Sequence, residues 1–485
     1  MATPILIAGS RSRARAAEEG LRTARPWATS AVLLATDALA LTAAGWLGFV
    51  AWSRVNSEIG TEFFLQLWPG LVVSLAAYAC AGLYPGAGIS PAEELRRLTM
   101  GTTAVCLIST AAIFFSKDAE LYSRGVLISA WAGALWLAPL GRALARRWFA
   151  RRAWWGVPVL VLGAGDAGRA LAASLEANPA CGLKPVACIE ACRGSEPSQV
   201  DEDALGEAVE LARRHGVQQA ILAMPGIGRQ PLLTVFRRLE TAFRRLIVVP
   251  DLWGVPTLWV APKDLSGVLG LEVRQNLLMP VNRWLKRGLD LALGTVLLVL
   301  AGPVMAVAAV WIKRVSPGPA LYSQEREGMG GARFCVRKLR TMHVEAEALL
   351  WQHLRENPEA MEEWRRFFKL RQDPRVAPVI GEFLRRSSLD ELPQLWSVVK
   401  GEMSLVGPRP YPYYHLEQFD AGFRALRRRV PPGLTGLWQV ESRSDGDLAA
   451  QESLDTYYIR NWSVWLDLYI LARTVHAVVS GKGAR

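Results

Sequence analysis

Four apolar stretches, at residues 27–52, 63–84, 98–115 and 125–140, constrain this chain more than any other feature. A helix that crosses a bilayer needs about 20 mostly apolar residues. The four stretches fit that length, the third least well. A soluble core of this kind would also need polar faces, and these stretches have few. Hydrophobic residues make up 51% of the 485-residue chain and tryptophan occurs 19 times, which suits a membrane protein with interfacial aromatics. The amino terminus lacks an early apolar core followed by a cleavage site, so no removable signal peptide is expected.

The charges between the stretches give an expected orientation. Arg96 and Arg97 separate the second and third stretches, and Arg142, Arg146, Arg147, Arg151 and Arg152 follow the fourth. In the other two loops Arg54, Lys117 and Arg124 are offset by Glu58, Glu62, Asp118 and Glu120. Basic loops stay in the cytoplasm. The amino terminus and everything after residue 141 are therefore expected there. Asp37 lies inside the first stretch and is expected to face the bundle interior. Residues 1–26, with five arginines from Arg11 to Arg25, read as a solvated tail. The formal net charge of +12 suits nucleic acid, but equally anionic lipid and phosphate substrates. The six cysteines form no zinc spacing and are expected as thiols.

A second signal starts at residue 157. A buried-strand run is followed by Gly163-Ala164-Gly165-Asp166-Ala167-Gly168 and an Ala/Leu-rich helical pattern. This is G-x-G-x-x-G between strand and helix, the setting of a dinucleotide loop. A second strand ends at Glu190, where a ribose-binding acid would stand. Further strands are expected near 219–223 and 246–249. Residues 153–275 therefore read as a Rossmann-like α/β domain. The glycines could equally serve tight strand–helix packing, so a nucleotide there stays open. No Y-x-x-x-K pair occurs in the chain, which removes the catalytic couple of short-chain dehydrogenases.

A further apolar run, 289–312, is flanked by Arg283, Lys286 and Arg287 and by Lys313 and Arg314. It is long enough to span. Basic residues at both ends favour one side of the membrane for both. Gly302-Pro303 sits midway, where a helix should kink. A re-entrant helix over 283–314 is the preferred expectation.

Residues 387–410 read SSLDELPQLWSVVKGEMSLVGPRP. Proline fits the first turn of a helix. With Asp390 near the N-cap, Pro393 falls in that turn, Lys400 in the last turn, and Gly401 at the position after it. Asp390 and Glu391 then stand beside Arg385 and Arg386, with Arg409 held in a proline-flanked turn. A capping box from Ser388 to Glu391 is the plainer reading. It would place Pro393 deeper in the helix, at a cost of roughly 3 kcal/mol. Carboxylates among arginines suit a phosphate site with a divalent metal.

This stretch closely resembles the signature of the bacterial polyprenol-phosphate phosphoglycosyl transferases of the monotopic superfamily. The resemblance extends over residues 283–479. Gln324, Arg326 and Gly328 match Q-x-R-x-G; Lys338–Met342 matches K-[FL]-R-T-M; Asp373-Pro374-Arg375 matches D-P-R; and 432–440 with Arg443 matches P-G-[IL]-T-G-[LW]-x-Q-V and its following arginine. Three positions depart from the family pattern. Gly302 replaces the serine of the usual Ser-Pro break, Glu441-Ser442 replaces Asn/Ser-Gly before Arg443, and no acidic pair follows the second strand.

By that likeness the protein is a membrane enzyme of mixed α and α/β class. It would comprise a cytoplasmic tail (1–26), four transmembrane helices (27–145), the Rossmann-like domain (153–275) and a catalytic domain (276–485) with a re-entrant helix and interfacial amphipathic helices, one over 457–479. It would lie in the bacterial inner membrane with its domains on the cytoplasmic side. The resemblance implies that Asp390 is the nucleophile and that Glu391, with Asp390, holds Mg²⁺. It makes Lys338, Arg340, Arg385, Arg386, Arg409, Gln439 and Arg443 substrate-binding. Gly163, Gly165, Gly168 and Glu190 are weaker nucleotide candidates. Expected partners are a UDP-sugar, undecaprenyl phosphate and membrane lipid, with a homodimer among the possible assemblies and no nucleic acid. The four-helix leader and W-x-x-F-x-K-L (364–370) lean towards galactose 1-phosphate over glucose 1-phosphate. Two other classes stay open: an NAD-dependent nucleotide-sugar dehydratase, disfavoured by the missing Y-x-x-x-K, and a non-catalytic scaffold, which leaves Asp390-Glu391 and Arg409 without a purpose.

Overall fold

The computed structural model describes residues 24–480, apart from 57–59, 117–122, 164–165, 191–200, 225, 250–259, 266–267, 274–275, 317, 344–345, 368–369, 371–372, 378 and 442–447. It divides into two units, Met1–Trp253 and Gly254–Arg485. The sequence reading ended the α/β domain at 275; the division falls at Trp253.

The first unit opens with apolar helices α1 (Pro26–Ser53), α2 (Trp68–Cys80), α3 (Pro91–Ser116) and α4 (Arg124–Phe149). The expected stretch 63–84 is not one helix. It splits into Glu62–Leu65 and α2, because Pro69 occupies the opening turn of a new helix. At 13 residues α2 is about 20 Å long, short of the ~30 Å hydrocarbon core. Helices α1 and α4 pack closely through small residues. A Cβ on Gly48 would come within 2.7 Å of the Ala130 backbone nitrogen, and one on Gly133 within 3.3 Å of Ala44. Close backbone approach of this kind is how apolar helices associate in lipid.

Asp37 does face the interior, fully buried, and it has a partner that its surroundings in sequence did not suggest. Arg142 lies inside α4 rather than in a loop, 1% exposed, and grips Asp37 through Nε at 2.9 Å and Nη2 at 2.6 Å. Its Nη1 donates to Glu94 at 2.8 Å, and the Tyr84 hydroxyl donates to Asp37 at 2.6 Å.

The α/β domain follows: β1 (Val157–Gly163), α5 (Asp166–Ala177), β2 (Leu183–Glu190), α6 (Glu202–His215), β3 (Gln219–Ala223), α7 (Arg229–Leu239) and β4 (Arg245–Val248). The sheet is parallel throughout, in the order β2-β1-β3-β4. Strand β1 is buried along its whole length, as expected of a strand covered on both faces.

The second unit begins with the hairpin β5 (Val260–Leu265) and β6 (Val268–Val273) and continues into α8 (Pro280–Val315). Helix α8 is the fourth helix long and apolar enough to cross a membrane among the described residues, with α1, α3 and α4. It stays helical through Gly302-Pro303, although the proline removes the bond to the Val299 carbonyl. Its buried stripe is Lys286, Asp290, Gly294, Ala301, Ala308 and Ile312. The carboxyl-terminal end of that stripe packs with Leu339, Ile380 and Leu384.

Next come the hairpin β7 (Leu321–Glu327) and β8 (Arg333–Leu339), the charged helices α9 (Ala346–Glu356) and α10 (Pro358–Phe367), and α11 (Ile380–Arg386). After a 3₁₀ turn at Leu389–Gln394, α12 (Leu395–Lys400) leads to β9 (Ser404–Val406). The rest is α13 (Ala421–Arg427), β10 (Gly433–Thr435) parallel to β9, α14 (Leu437–Glu441), α15 (Leu448–Asn461) and α16 (Val464–Ser480). The expected single interfacial helix over 457–479 is therefore two helices. Ser463 breaks it by accepting the Leu466 amide on its hydroxyl, and Tyr458 and Trp462 are core residues, 1% and 2% exposed.

Candidate active site

Asp390 and Glu391 sit in the 3₁₀ turn rather than at an α-helix N-cap. Pro393 lies within that turn, whose tighter bonding leaves fewer amides to lose. Ser388 makes no side-chain cap, so the capping-box alternative does not form. Its backbone is left-handed, φ 56°, a conformation that costs a serine free energy and sets the chain direction just before the carboxylates. Lys400 and Gly401 close α12 as the sequence predicts, with Gly401 at φ 92°.

The two carboxylates live in different surroundings. Glu391 Oε1 accepts from Lys338 Nζ at 2.6 Å and from Arg409 Nη2 at 3.0 Å. Lys338 reaches it from β8, whose hairpin with β7 pairs Lys338 with Tyr322. Burial works against the Glu391 charge, but Lys338 and Arg409 outweigh it and hold the carboxyl down at about 2. Asp390 is 9% exposed. Lys338, Arg385 and Arg409 oppose a shift through space, yet burial, with the Glu391 charge adding to it, pushes the Asp390 carboxyl up to about 6. Glu391 is thus a fixed anion. Asp390 is a poorly solvated carboxylate that titrates near neutrality, the property of a nucleophile or proton carrier.

Arg409 is held from several directions. The Gly407 amide donates to Thr435 O at 2.8 Å, and the Gly433 amide donates to Pro408 O at 2.9 Å. The Arg427 guanidinium donates to the Arg409 carbonyl, and Arg427 pairs in turn with buried Asp455. A Cβ on Gly407 would meet Pro431 O at 2.7 Å, so only glycine fits that crossing.

The other expected site residues divide. Arg385 lies near Asp390 with its Nε on Thr341 Oγ1 at 3.1 Å, and Arg386 is exposed. The ladder runs one pair past β8, the Arg340 amide donating to Ala320 O at 2.8 Å, and the Arg340 guanidinium donates to the Ser316 carbonyl at 2.5 Å. Arg340 is 9% exposed, more buried than Lys338. Gln439 donates to Leu434 O at 3.4 Å, while its Oε1 is buried without a partner among the described residues. Arg443 lies outside the described residues. Asp373 and Arg375 form a bidentate pair (2.7 and 2.8 Å), and the Arg375 guanidinium lies 5.0 Å from the Trp364 ring centroid on α10.

In the α/β domain the glycines have a steric reason to be present. A Cβ on Gly163 would come within 2.5 Å of Gly168 Cα, and one on Gly168 within 2.8 Å of Gly163 Cα. Strand β1 and helix α5 touch backbone to backbone there. Glu190 accepts from Arg169 at 3.1 Å, so the expected ribose acid is paired within the domain. Gly165 lies outside the described residues.

Sequence reasoning missed Lys286, Asp290, Tyr458 and Asp467. These buried polar side chains bond one another or the segment 404–406. The signal was faint: two charges four residues apart at the start of an apolar helix, an unusual place for either.

The donor set suits a hard divalent cation. No cluster of three or more His, Cys, Asp or Glu occurs among the described residues, so a fully protein-ligated site is not present there. Mg²⁺ asks for less, one or two carboxylates completed by water and substrate phosphates. Both cationic contacts to Glu391 fall on Oε1, so Glu391 Oε2 and the Asp390 carboxylate are the oxygens that would hold such an ion.

Comparison with known proteins gives two domain matches. A bacterial sugar transferase model matches residues 281–481, and a CoA-binding domain model matches residues 80–250. Among curated proteins, the undecaprenyl-phosphate galactose phosphotransferase of Salmonella typhimurium is 32% identical over 401 residues, covering 81% of this chain and 82% of that one. The UDP-galactose-lipid carrier transferase of Erwinia amylovora is 34% identical over 373 residues, covering 75% and 76%. The UDP-glucose:undecaprenyl-phosphate glucose-1-phosphate transferase of Escherichia coli is 30% identical over 414 residues, covering 82% and 84%.

Proposed function

The chain belongs to the bacterial sugar transferase family that includes these undecaprenyl-phosphate sugar phosphotransferases, and from that premise we propose that it moves galactose 1-phosphate from UDP-galactose to undecaprenyl phosphate through a covalent intermediate on Asp390. It is a membrane transferase enzyme of polysaccharide biosynthesis. In the proposed first step an Asp390 carboxylate oxygen attacks the sugar-linked phosphorus. The phosphoanhydride bond breaks, its electron pair leaves with UMP, and an aspartyl phosphosugar remains. In the second step a phosphate oxygen of undecaprenyl phosphate displaces the Asp390 oxygen, giving undecaprenyl-diphospho-galactose. Arg409 and Arg386 would neutralise phosphoryl oxygens, and Lys338 would keep Glu391 placed. Mg²⁺ held by Asp390 and Glu391 would offset repulsion between the carboxylate and the diphosphate.

The observation that carries this reading is the contrast within the acidic pair: Glu391 is bound to two cations while its neighbour is buried and desolvated. The donor sugar rests on two relatives named for galactose and on the W-x-x-F-x-K-L segment at 364–370. Glucose is the second reading, supported by the Escherichia coli relative. Purified protein with undecaprenyl phosphate and Mg²⁺ should release UMP from UDP-galactose and not from UDP-glucose. The reverse preference would replace galactose with glucose, and silence with every UDP-sugar would count against the reaction itself.

Without a cation at the pair the Asp390 carboxyl is pushed up to about 6, chiefly by burial, while Glu391 is held down at about 2. A bound Mg²⁺ favours the carboxylate, so the acid limb of turnover should move to lower pH as Mg²⁺ is raised. An acid limb that ignores the Mg²⁺ concentration would remove Asp390 from the role.

Two features support a re-entrant α8, and the basic residues at both its ends favour the cytoplasmic side for the catalytic unit. Lys286 near one end and Ile312 near the other both dock on the second unit. Between them Val296, Val299, Leu300 and Val307 are exposed apolar residues, a surface for lipid.

A further inference from the structure

We infer that Lys286, on the membrane helix, is a positioning residue that sets where Arg409 stands; the inference rests on the reading of Asp390, Glu391 and Arg409 as the active site. Lys286 is 4% exposed, and an ammonium has three N–H donors to satisfy. All three are used. Nζ donates to Asp467 Oδ2 at 2.7 Å, to the Val406 carbonyl at 2.9 Å and to the Tyr458 hydroxyl at 3.1 Å. The Tyr458 hydroxyl lies 2.9 Å from the same carbonyl and 2.8 Å from Asp467 Oδ1, so its one proton serves either. Trp462 Nε1 donates to Asp467 Oδ2 at 3.0 Å and completes the carboxylate's surroundings.

Val406 is the last residue of β9, and Gly407-Pro408-Arg409-Pro410 follows. Two prolines fix φ on either side of Arg409. The turn therefore has little freedom to absorb a shift at its base, and a displaced Val406 carbonyl carries the Arg409 guanidinium away from Glu391. The same face of α8 holds the rest of the connection. Arg287 donates to Val398 O and Val399 O at 2.6 Å each, carbonyls in the last turn of α12. Asp290 accepts the Leu405 amide at 2.9 Å and the Ser404 hydroxyl at 3.0 Å. The end of α12 and the strand that leads into the Arg409 turn are thus both tied to about one turn of α8. A buried ion pair is weak evidence for stability in itself. This one bonds a catalytic loop instead of an inert surface, and that is the reason to give it a role in turnover.

The test is a double-mutant cycle on kcat for UMP release, with Lys286→Met and Arg409→Ala in the full-length protein. If Lys286 acts through Arg409, Lys286→Met should lower kcat about 30-fold in the parent and less than about threefold in the Arg409→Ala background. The KM for the UDP-sugar should change less than about threefold in both. A merely structural role predicts the same loss in both backgrounds, and that result would overturn the inference. Lys286→Met leaves Asp467 with fewer partners and could fail to fold. Tyr458→Phe keeps the Lys286–Asp467 pair and removes one donor near Val406, so it repeats the cycle with a smaller expected loss of about fivefold, again vanishing without Arg409. A folded Lys286→Met or Tyr458→Phe protein with parental kcat also sinks the inference. An Arg409→Ala variant with full activity would instead overturn the active-site reading, and the role of Lys286 would fall with it.

Discussion

Asp390→Asn is expected to reduce UMP release by roughly 10³-fold or more and to leave the protein at least as stable as the parent. Asparagine keeps the shape of the side chain and cannot form the acyl phosphate. The stability half follows from the sign of the pKa change. In the folded protein the Asp390 carboxyl titrates near 6, above its ordinary 3.8, so folding favours the protonated form. Stability from this group is greatest below the ordinary value and is lost as pH rises through 6. At pH 7.5 the buried anion costs up to about 3 kcal/mol, of which the neutral amide should recover a part. Thermal unfolding beside the UMP assay measures both halves. A variant that loses activity and stability together would show a folding defect, and one that turns over normally would end the covalent mechanism. Active sites often trade stability for reactivity in this way.

The second large effect is expected far from the chemistry. Arg142→Met should destabilise the amino-terminal unit by about 3–5 kcal/mol, because it strands Asp37 in a buried apolar bundle with, among the described residues, only the Tyr84 hydroxyl as donor. Glu94 would keep Arg146, which lies 2.8 Å away, so the loss should concentrate on Asp37. Adding Asp37→Leu to Arg142→Met should return most of the stability, since replacing both members of a buried pair removes the unpaired charge. Unfolding in detergent at neutral pH reads both variants. A cost under about 1 kcal/mol for the single change would show that the pair is not what holds α1 to α4.

Both predictions bear on what the sequence could reveal. Asp390, Glu391 and Arg409 were legible because the pattern is local: an acidic pair, a proline that limits helix register, and a proline-flanked arginine within twenty residues. Strand β1 and its glycines were legible for the same reason. Arg142 was not. It reads as one of several basic residues after an apolar stretch, and only the helix register of α4 shows that it points inward. Lys286 and Asp467 are 181 positions apart, and nothing in either neighbourhood names the other. Arg340 continues the ladder past β8, and what the sequence could not show is the Ser316 carbonyl, 24 positions away, that its guanidinium meets. The stretch 63–84 was read by its hydropathy, while Pro69 decided where a helix could begin.

The buried stripe of α8 has one more consequence. Its members stand at residues 286, 290, 294, 301, 308 and 312, spacings of four and seven that keep them on one face. The two ends of the helix are docked independently, one by polar bonds and the other by packing. One residue inserted between Gly294 and Ala301 would turn one end against the other by about 100° and push it about 1.5 Å along the axis. The helix is in that sense a gauge of fixed length. Substitutions on its lipid-facing side can drift freely, but its residue count cannot, since even seven added residues, which keep the face in phase, would move one docked end by about 10 Å.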